Sequence, residues 1–183
     1  VRRSGLISIK LKDGDSLRWV KPSTGNDDVM LVTAKGQSIR FKEKQVRAMG
    51  RTAAGVRGMR LKGHDEITGM DLVNEGKPTP TEQLLIVTYN GYGKRTNLKE
   101  YKIQGRGGSG VKTANVTDKT GGVMTAFVVN AKREAEDLVV MSENGQVIRL
   151  RLKSVSVLGR ATQGVRLMRF KEAKDQVASV TFV

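Results

Sequence analysis

Three short runs of the chain carry residue types suited to holding a phosphate: Gly50–Val56 (GRTAAGV), Gln104–Lys112 (QGRGGSGVK) and Gly159–Val165 (GRATQGV). Each places one arginine (Arg51, Arg106 or Arg160) among small residues and closes on glycine and valine. An arginine is always charged and presents a fork of N–H donors, while glycines allow positive φ and close approach of a backbone to another surface. Such runs bury no core. The chemistry they fit is a row of contacts to something long and negatively charged.

The runs recur in phase. Their final glycines, together with Gly5, fall at Gly5, Gly55, Gly110 and Gly164, spaced by 50, 55 and 54 residues. A second marker agrees: Gly36, Gly91 and Gly145 in the turns AKGQ, YNGY and ENGQ lie 55 and 54 apart. Two independent markers in register define a repeat, present as three copies over 28–73, 84–129 and 137–183, with a partial copy over 1–20.

Each copy reads as four short strands. The first is an apolar run: Val29–Thr33, Leu84–Tyr89 or Leu138–Ser142. Asn90–Gly91 and Asn144–Gly145 then supply strong hairpin turns. The second strand alternates apolar with basic residues, as in Ile148, Leu150 and Leu152 against Arg149, Arg151 and Lys153. After the glycine-rich loop comes a third strand, Val56–Leu61 or Val165–Phe170, and then an apolar fourth: Ile67–Val73, Val123–Val129 or Val177–Val183. A single helical turn is expected near Lys42–Val46. Trp19, in LRWV, reads as a core residue of the partial copy's fourth strand, and Asn74–Gln83 as a mobile surface loop. Four strands per unit of about fifty residues is the blade pattern of an all-β, propeller-like array. Closed propellers use ~4–8 blades, and the chain opens on Val1 inside a strand pattern, so we read it as a piece of a longer protein.

The charge follows the repeat. Net charge is +15 with a pI near 10.3, which favours nucleic acid or another anionic partner. Residues 36–61, 91–116 and 145–170 carry net charges of +6, +5 and +6, leaving −2 for the remainder. The basic residues fall on the second and third strands and the loop between them. Equivalent positions of a repeat array share one face. The expected track comprises Arg40, Lys42, Arg47, Arg51, Arg57 and Arg60 in the first copy. In the second it comprises Lys94, Arg95, Gln104, Arg106, Gly107, Gly108, Gly110 and Lys112, and in the third Arg149, Arg151, Arg160, Arg166 and Arg169. A uniformly solvated strand face would not need phase-locked charge of a single sign.

Other chemistry finds little support. Gly105, Gly107 and Gly110 match G-x-G-x-x-G, but a strand rather than a helix follows, and the other copies lack the pattern. Gly93–Thr96 (GKRT) lacks the upstream glycine of a phosphate-binding loop. The one histidine, His64, sits in a charged turn without a nucleophile or ligand cluster beside it. Tyr89 and Tyr101 read as blade packing, and Tyr92 as flanking a hairpin turn. Without cysteine there is no disulfide or thiolate metal site, which fits a reducing cytoplasm. No apolar run is long enough to span a membrane and no signal peptide is visible. Aromatic residues make up 4%, too few for single-strand stacking platforms.

The runs VRAMGRTAAGVRGMRL (46–61), NGYGKRT (90–96) and VLGRATQGVRLMRF (157–170) closely resemble the C-terminal domain of DNA gyrase A. That resemblance implies a β-pinwheel, a propeller-like fold whose blades exchange strands. It also implies a role: wrapping duplex DNA around a basic rim so that a type II topoisomerase introduces negative supercoils. The family's box Q-R-R-G-G-K-G is nearest to Gln104–Gly110, which differs at Gly105 and Ser109. The resemblance places the cleaving tyrosine, ATP and Mg in other parts of a holoenzyme built from the rest of gyrase A and from gyrase B. It implies no catalytic residue, cofactor or metal here, and a nucleoid-associated, cytoplasmic protein without membrane contact. The equivalent domain of topoisomerase IV, a propeller-type protein-interaction scaffold and an RNA-binding module remain alternatives at this point.

Overall fold

A computed structural model describes residues 5–74, 81–130 and 133–183. Within them eleven strands form three antiparallel sheets. The first is built on β1 (Asp28–Thr33), β2 (Gln37–Lys42) and β3 (Ile67–Val73). The second is built on β4 (Gln83–Thr88), β5 (Tyr92–Asn97) and β7 (Val123–Val129), and the third on β8 (Asp137–Ser142), β9 (Val147–Arg151) and β11 (Val177–Phe182). The first, second and fourth strands thus lie where the periodicity puts them. So does the helical turn, a 3-10 turn at Glu43–Gln45 that recurs at Leu98–Glu100 and Leu152–Ser154.

The third strand behaves differently. Only Val111–Lys112 (β6) and Val165–Arg166 (β10) are paired, and each joins the sheet of the preceding repeat: β6 on β2, β10 on β5. Residues 56–61 form no strand. The expectation of a strand at Val56–Leu61 is therefore corrected, because a third strand needs the preceding repeat's second strand as its partner. The exchange locks consecutive repeats together. Residues 5–20 likewise contain no strand, and Trp19 is half-buried outside any sheet rather than in a core. The loop reading of Asn74–Gln83 falls largely on 75–80, outside the described residues.

The two largest core clusters each lie between two sheets, and a smaller one of Ile39, Phe41 and Met59 sits on the first sheet. Along β4 the apolar run is continuous, and alternate side chains point to opposite faces. Leu84 and Ile86 join Met30, Val32, Val73 and Tyr101 in one cluster, whereas Leu85 and Val87 join Leu138, Val140, Leu152 and Met168 in another. Tyr101 packs as expected, its hydroxyl 2.6 Å from Thr113 Oγ1, and burial pushes its pKa up to about 12. Tyr92 opens β5 beside the turn and is buried.

Candidate nucleic-acid interface

The final loop glycines hold the backbone conformation that the sequence requires. Gly55, Gly110 and Gly164 have φ of +80°, +73° and +84°. A Cβ at Gly164 would lie 2.6 Å from Gly93 O, and one at Gly110 would overlap Ser38 O. Here each loop passes against the second strand of the preceding repeat, so only glycine allows the contact. At Gly55 the same Cβ would meet nothing within 4 Å.

The glycine-rich loops direct their polar groups into these joints. Gln104 N–H donates to Arg40 O at 2.7 Å, and the corresponding Leu158 N–H donates to Arg95 O at 2.8 Å. Gly107 N–H donates to Gly58 O, while Gly108 O accepts from Arg60 N–H. The Gly107 amide is thus already engaged within the protein. Arg106 and Arg160 are partly buried, with their guanidiniums on backbone carbonyls of the repeat before them.

Three residues of the expected track lie beneath the surface. Arg40 is 3% exposed; its Nε and Nη2 reach Asp28 Oδ2 at 2.8 and 2.6 Å, and its Nη1 reaches Leu98 O. Arg95 is 5% exposed and donates to Val155 O and Lys153 O at 2.9 and 3.0 Å. Lys94 is 1% exposed, its ammonium 2.6 Å from Gly159 O, 2.5 Å from Arg160 O and 3.0 Å from Thr162 Oγ1. Burial lowers the Lys94 pKa to about 8, with Glu100 opposing that shift and Arg160 adding to it. The sequence reading of Arg40, Lys94 and Arg95 as surface cations is corrected: the next repeat covers each of them, and backbone carbonyls, a threonine hydroxyl or a carboxylate accept from their donors. Alternation along the strand gave no sign of that cover.

The remaining cations face outward. Arg47, Arg51, Arg57, Arg60, Lys112, Arg149, Arg151, Arg166 and Arg169 are exposed. Lys42 is half-exposed and pairs with Asp28 at 3.0 Å. Arg149 pairs with Asp137 at 2.7 Å, and Arg166 donates to the Tyr92 hydroxyl at 2.6 Å while lying over its ring. The Tyr92–Arg166 contact escaped the sequence reading, because it joins residues that only the strand exchange brings together. His64 is exposed, as expected. No group of three or more metal-ligating side chains occurs among the described residues, and no described helix is long and apolar enough to cross a membrane.

Known proteins share this arrangement. A family model described as "DNA gyrase C-terminal domain, beta-propeller" matches residues 1–24, 27–74, 82–130 and 136–183. The DNA gyrase A protein of Staphylococcus epidermidis is 40% identical over 174 residues, covering 95% of this chain and 19% of that protein. Its Staphylococcus aureus counterpart is 38% identical over 179 residues, covering 98% and 19%. The chain thus spans about a fifth of the length of these relatives. Among solved structures, a DNA gyrase A C-terminal domain superposes with a TM-score of 0.84 at 29% identity, covering 98% of this chain and 58% of that one. The C-terminal domain of a DNA topoisomerase IV shares the fold, with a TM-score of 0.85 at 24% identity over 96% of this chain and 52% of its own. With a family model spanning nearly every residue and curated relatives at this identity, the chain belongs to the DNA gyrase C-terminal domain family.

Proposed function

We propose that this chain binds duplex DNA along the outward-facing cations of its repeats and bends it around the array, within a DNA gyrase that introduces negative supercoils. One observation carries the reading. After the buried cations are set aside, every repeat still presents exposed basic residues at equivalent places: Arg57 and Arg60, Lys112, and Arg166 and Arg169. Arg47, Arg51, Arg149, Arg151 and the half-exposed Lys42 extend the set. Phosphate contacts of this kind position DNA without reading bases, so binding is largely sequence-neutral and favours bendable duplex. Bending ~20–30 base pairs by ~40–90° costs on the order of 1–6 kcal/mol, which several contacts per repeat offset.

The gyrase names of the curated relatives favour that enzyme over topoisomerase IV. The partners are then the remainder of gyrase A together with gyrase B, in the nucleoid-bearing cytoplasm. ATP, Mg and the cleaving tyrosine belong outside this stretch. Gln104, Arg106, Gly107, Gly108, Gly110 and Arg160 contribute by shaping the loops. The test is a duplex of about 30 base pairs labelled at both ends, titrated with the chain at several salt concentrations. Energy transfer should rise on binding, and log K should fall with log salt by about 0.9 per phosphate neutralised. A bound duplex that stays straight, or an affinity indifferent to salt, refutes the reading.

A further inference from the structure

The two complete joints between repeats share one device. In the first, Arg106 donates from Nε to Gln45 O at 2.9 Å and from Nη1 to Arg57 O at 2.6 Å, while its own amide donates to Gln45 Oε1 at 2.6 Å. In the second, Arg160 donates from Nη1 to Lys112 O and from its amide to Glu100 Oε2, both at 3.3 Å. Gln45 and Glu100 occupy the same place in their repeats, at the end of the 3-10 turn. Arg57 and Lys112 also correspond, each two residues beyond the final loop glycine. The same arginine therefore reaches the same two segments of the repeat before it, twice over.

We propose that Arg106 and Arg160 are positioning residues that fix the angle between successive repeats, and so set the curvature imposed on DNA, rather than phosphate ligands. The inference rests on the wrapping function only for its consequence; the clamp itself is a property of the free protein. The chemistry suits arginine. The planar fork of Arg106 spans two carbonyls on separate segments, which a lysine ammonium cannot do from one point, whereas the Arg160 guanidinium reaches the Lys112 carbonyl alone. A charged donor also strengthens each bond. Backbone carbonyls as acceptors make the clamp independent of the side chains that Arg57 and Lys112 carry outward. Arg106, with two carbonyls, holds its joint more firmly than Arg160, whose joint has the buried Lys94 ammonium beneath it.

The full 183-residue chain contains no cysteine, so single labels can be placed at will. Lys44→Cys, Lys99→Cys and Lys153→Cys sit at equivalent exposed positions in the three 3-10 turns. Spin labels on pairs of them report each joint by pulsed electron resonance without DNA. Arg106→Lys, which keeps the charge and loses the fork, should broaden the 44–99 distance distribution and leave 99–153 sharp. Arg160→Lys should do the reverse, more weakly. Arg106→Ala should change the bend of bound duplex while the salt slope stays the same. Sharp distances in both lysine variants, with a slope flattened by about 0.9 in Arg106→Ala, would make these arginines phosphate ligands and overturn the proposal. Should the Arg106 variants fail to fold, Arg160→Ala removes the guanidinium bond to Lys112 O and should broaden the 99–153 pair; an unchanged pair refutes the clamp. If the unmodified chain fails to bend DNA, the wrapping function falls, and the distance measurements still decide the clamp.

Discussion

The second strands of the second and third repeats, β5 and β9, occupy the same place in their repeats and meet opposite fates. Along β5 every residue but the last is buried, whereas along β9 exposed and half-buried residues alternate. Arg95 and Arg149 hold equivalent positions, yet Arg95 is sealed over carbonyls of the next repeat while the Arg149 side chain is 67% exposed beside Asp137. What separates them is cover. A following repeat lays its loop and a two-residue strand over β5, and among the described residues no strand pairs with the outer edge of β9. In a stacked array a cation's role is therefore set by its neighbour rather than by its own strand.

The sharpest way to break this comparison is at the glycines that let the cover approach. Gly164→Val combines a positive φ, costing ~1–3 kcal/mol, with a Cβ 2.6 Å from Gly93 O. It should lower the melting temperature most, by roughly 2–4 °C for each kcal/mol. Gly55→Val, with the same φ but open space, should cost only the backbone strain. Equal losses in thermal melts would show that the close approach contributes nothing.

The arginine pair comes next. Arg95→Met leaves the Val155 and Lys153 carbonyls without their charged donor, and bonds of that type contribute about 1.5–3 kcal/mol each. Arg149→Met removes an exposed ion pair worth ~0–1 kcal/mol. Urea denaturation should therefore separate the two variants clearly. DNA binding should rank them the other way, with only Arg149→Met flattening the salt slope.

Lys94 adds a pH signature to the covered strand. Its folded pKa of about 8 lies below its ordinary 10.5, so between those values the unfolded chain binds more protons than the folded one. Stability must then rise with pH across that window, with no contribution from this lysine to the pH dependence below it. Tyr101, raised from 10.0 to about 12, acts in the opposite sense only above pH 10. The melting temperature of the unmodified chain relative to Lys94→Met should therefore climb from pH 8 to 9.5, and a flat difference would mean that the ammonium is not desolvated as the geometry requires.

The smallest effects belong to the exposed rim. Arg151→Gln should leave stability within about 0.5 kcal/mol and reduce the salt slope by roughly one unit or less. A slope that responds to Arg95 rather than Arg151 would invert the division between covered and open cations.

Much of this molecule was legible because its repeat is written twice, once in the turn glycines and once in the loop glycines. Apolar runs located β1 and β8, and alternation located β2 and β9, to within a residue or two. The positive φ of Gly55, Gly110 and Gly164 was expected where each glycine-rich loop closes, although a strand follows only Gly110 and Gly164. The third strand was overread at 56–61, since its pattern resembles those of its cousins while its pairing partner belongs to another repeat. Arg40, Lys94 and Arg95 were misplaced for a related reason: period-two alternation says which residues share a face and nothing about what rests on that face.

Sequence alone therefore determined the repeat, the positions of the first, second and fourth strands of each copy, the glycine-dependent turns and the phase of the charge, because these depend on local backbone sterics and on spacing along the chain. Only the tertiary structure decided which cations are mortar and which are rim. That outcome depends on strand exchange, which carries β6 onto β2 and β10 onto β5, so that carbonyls from one repeat close over cations of the one before.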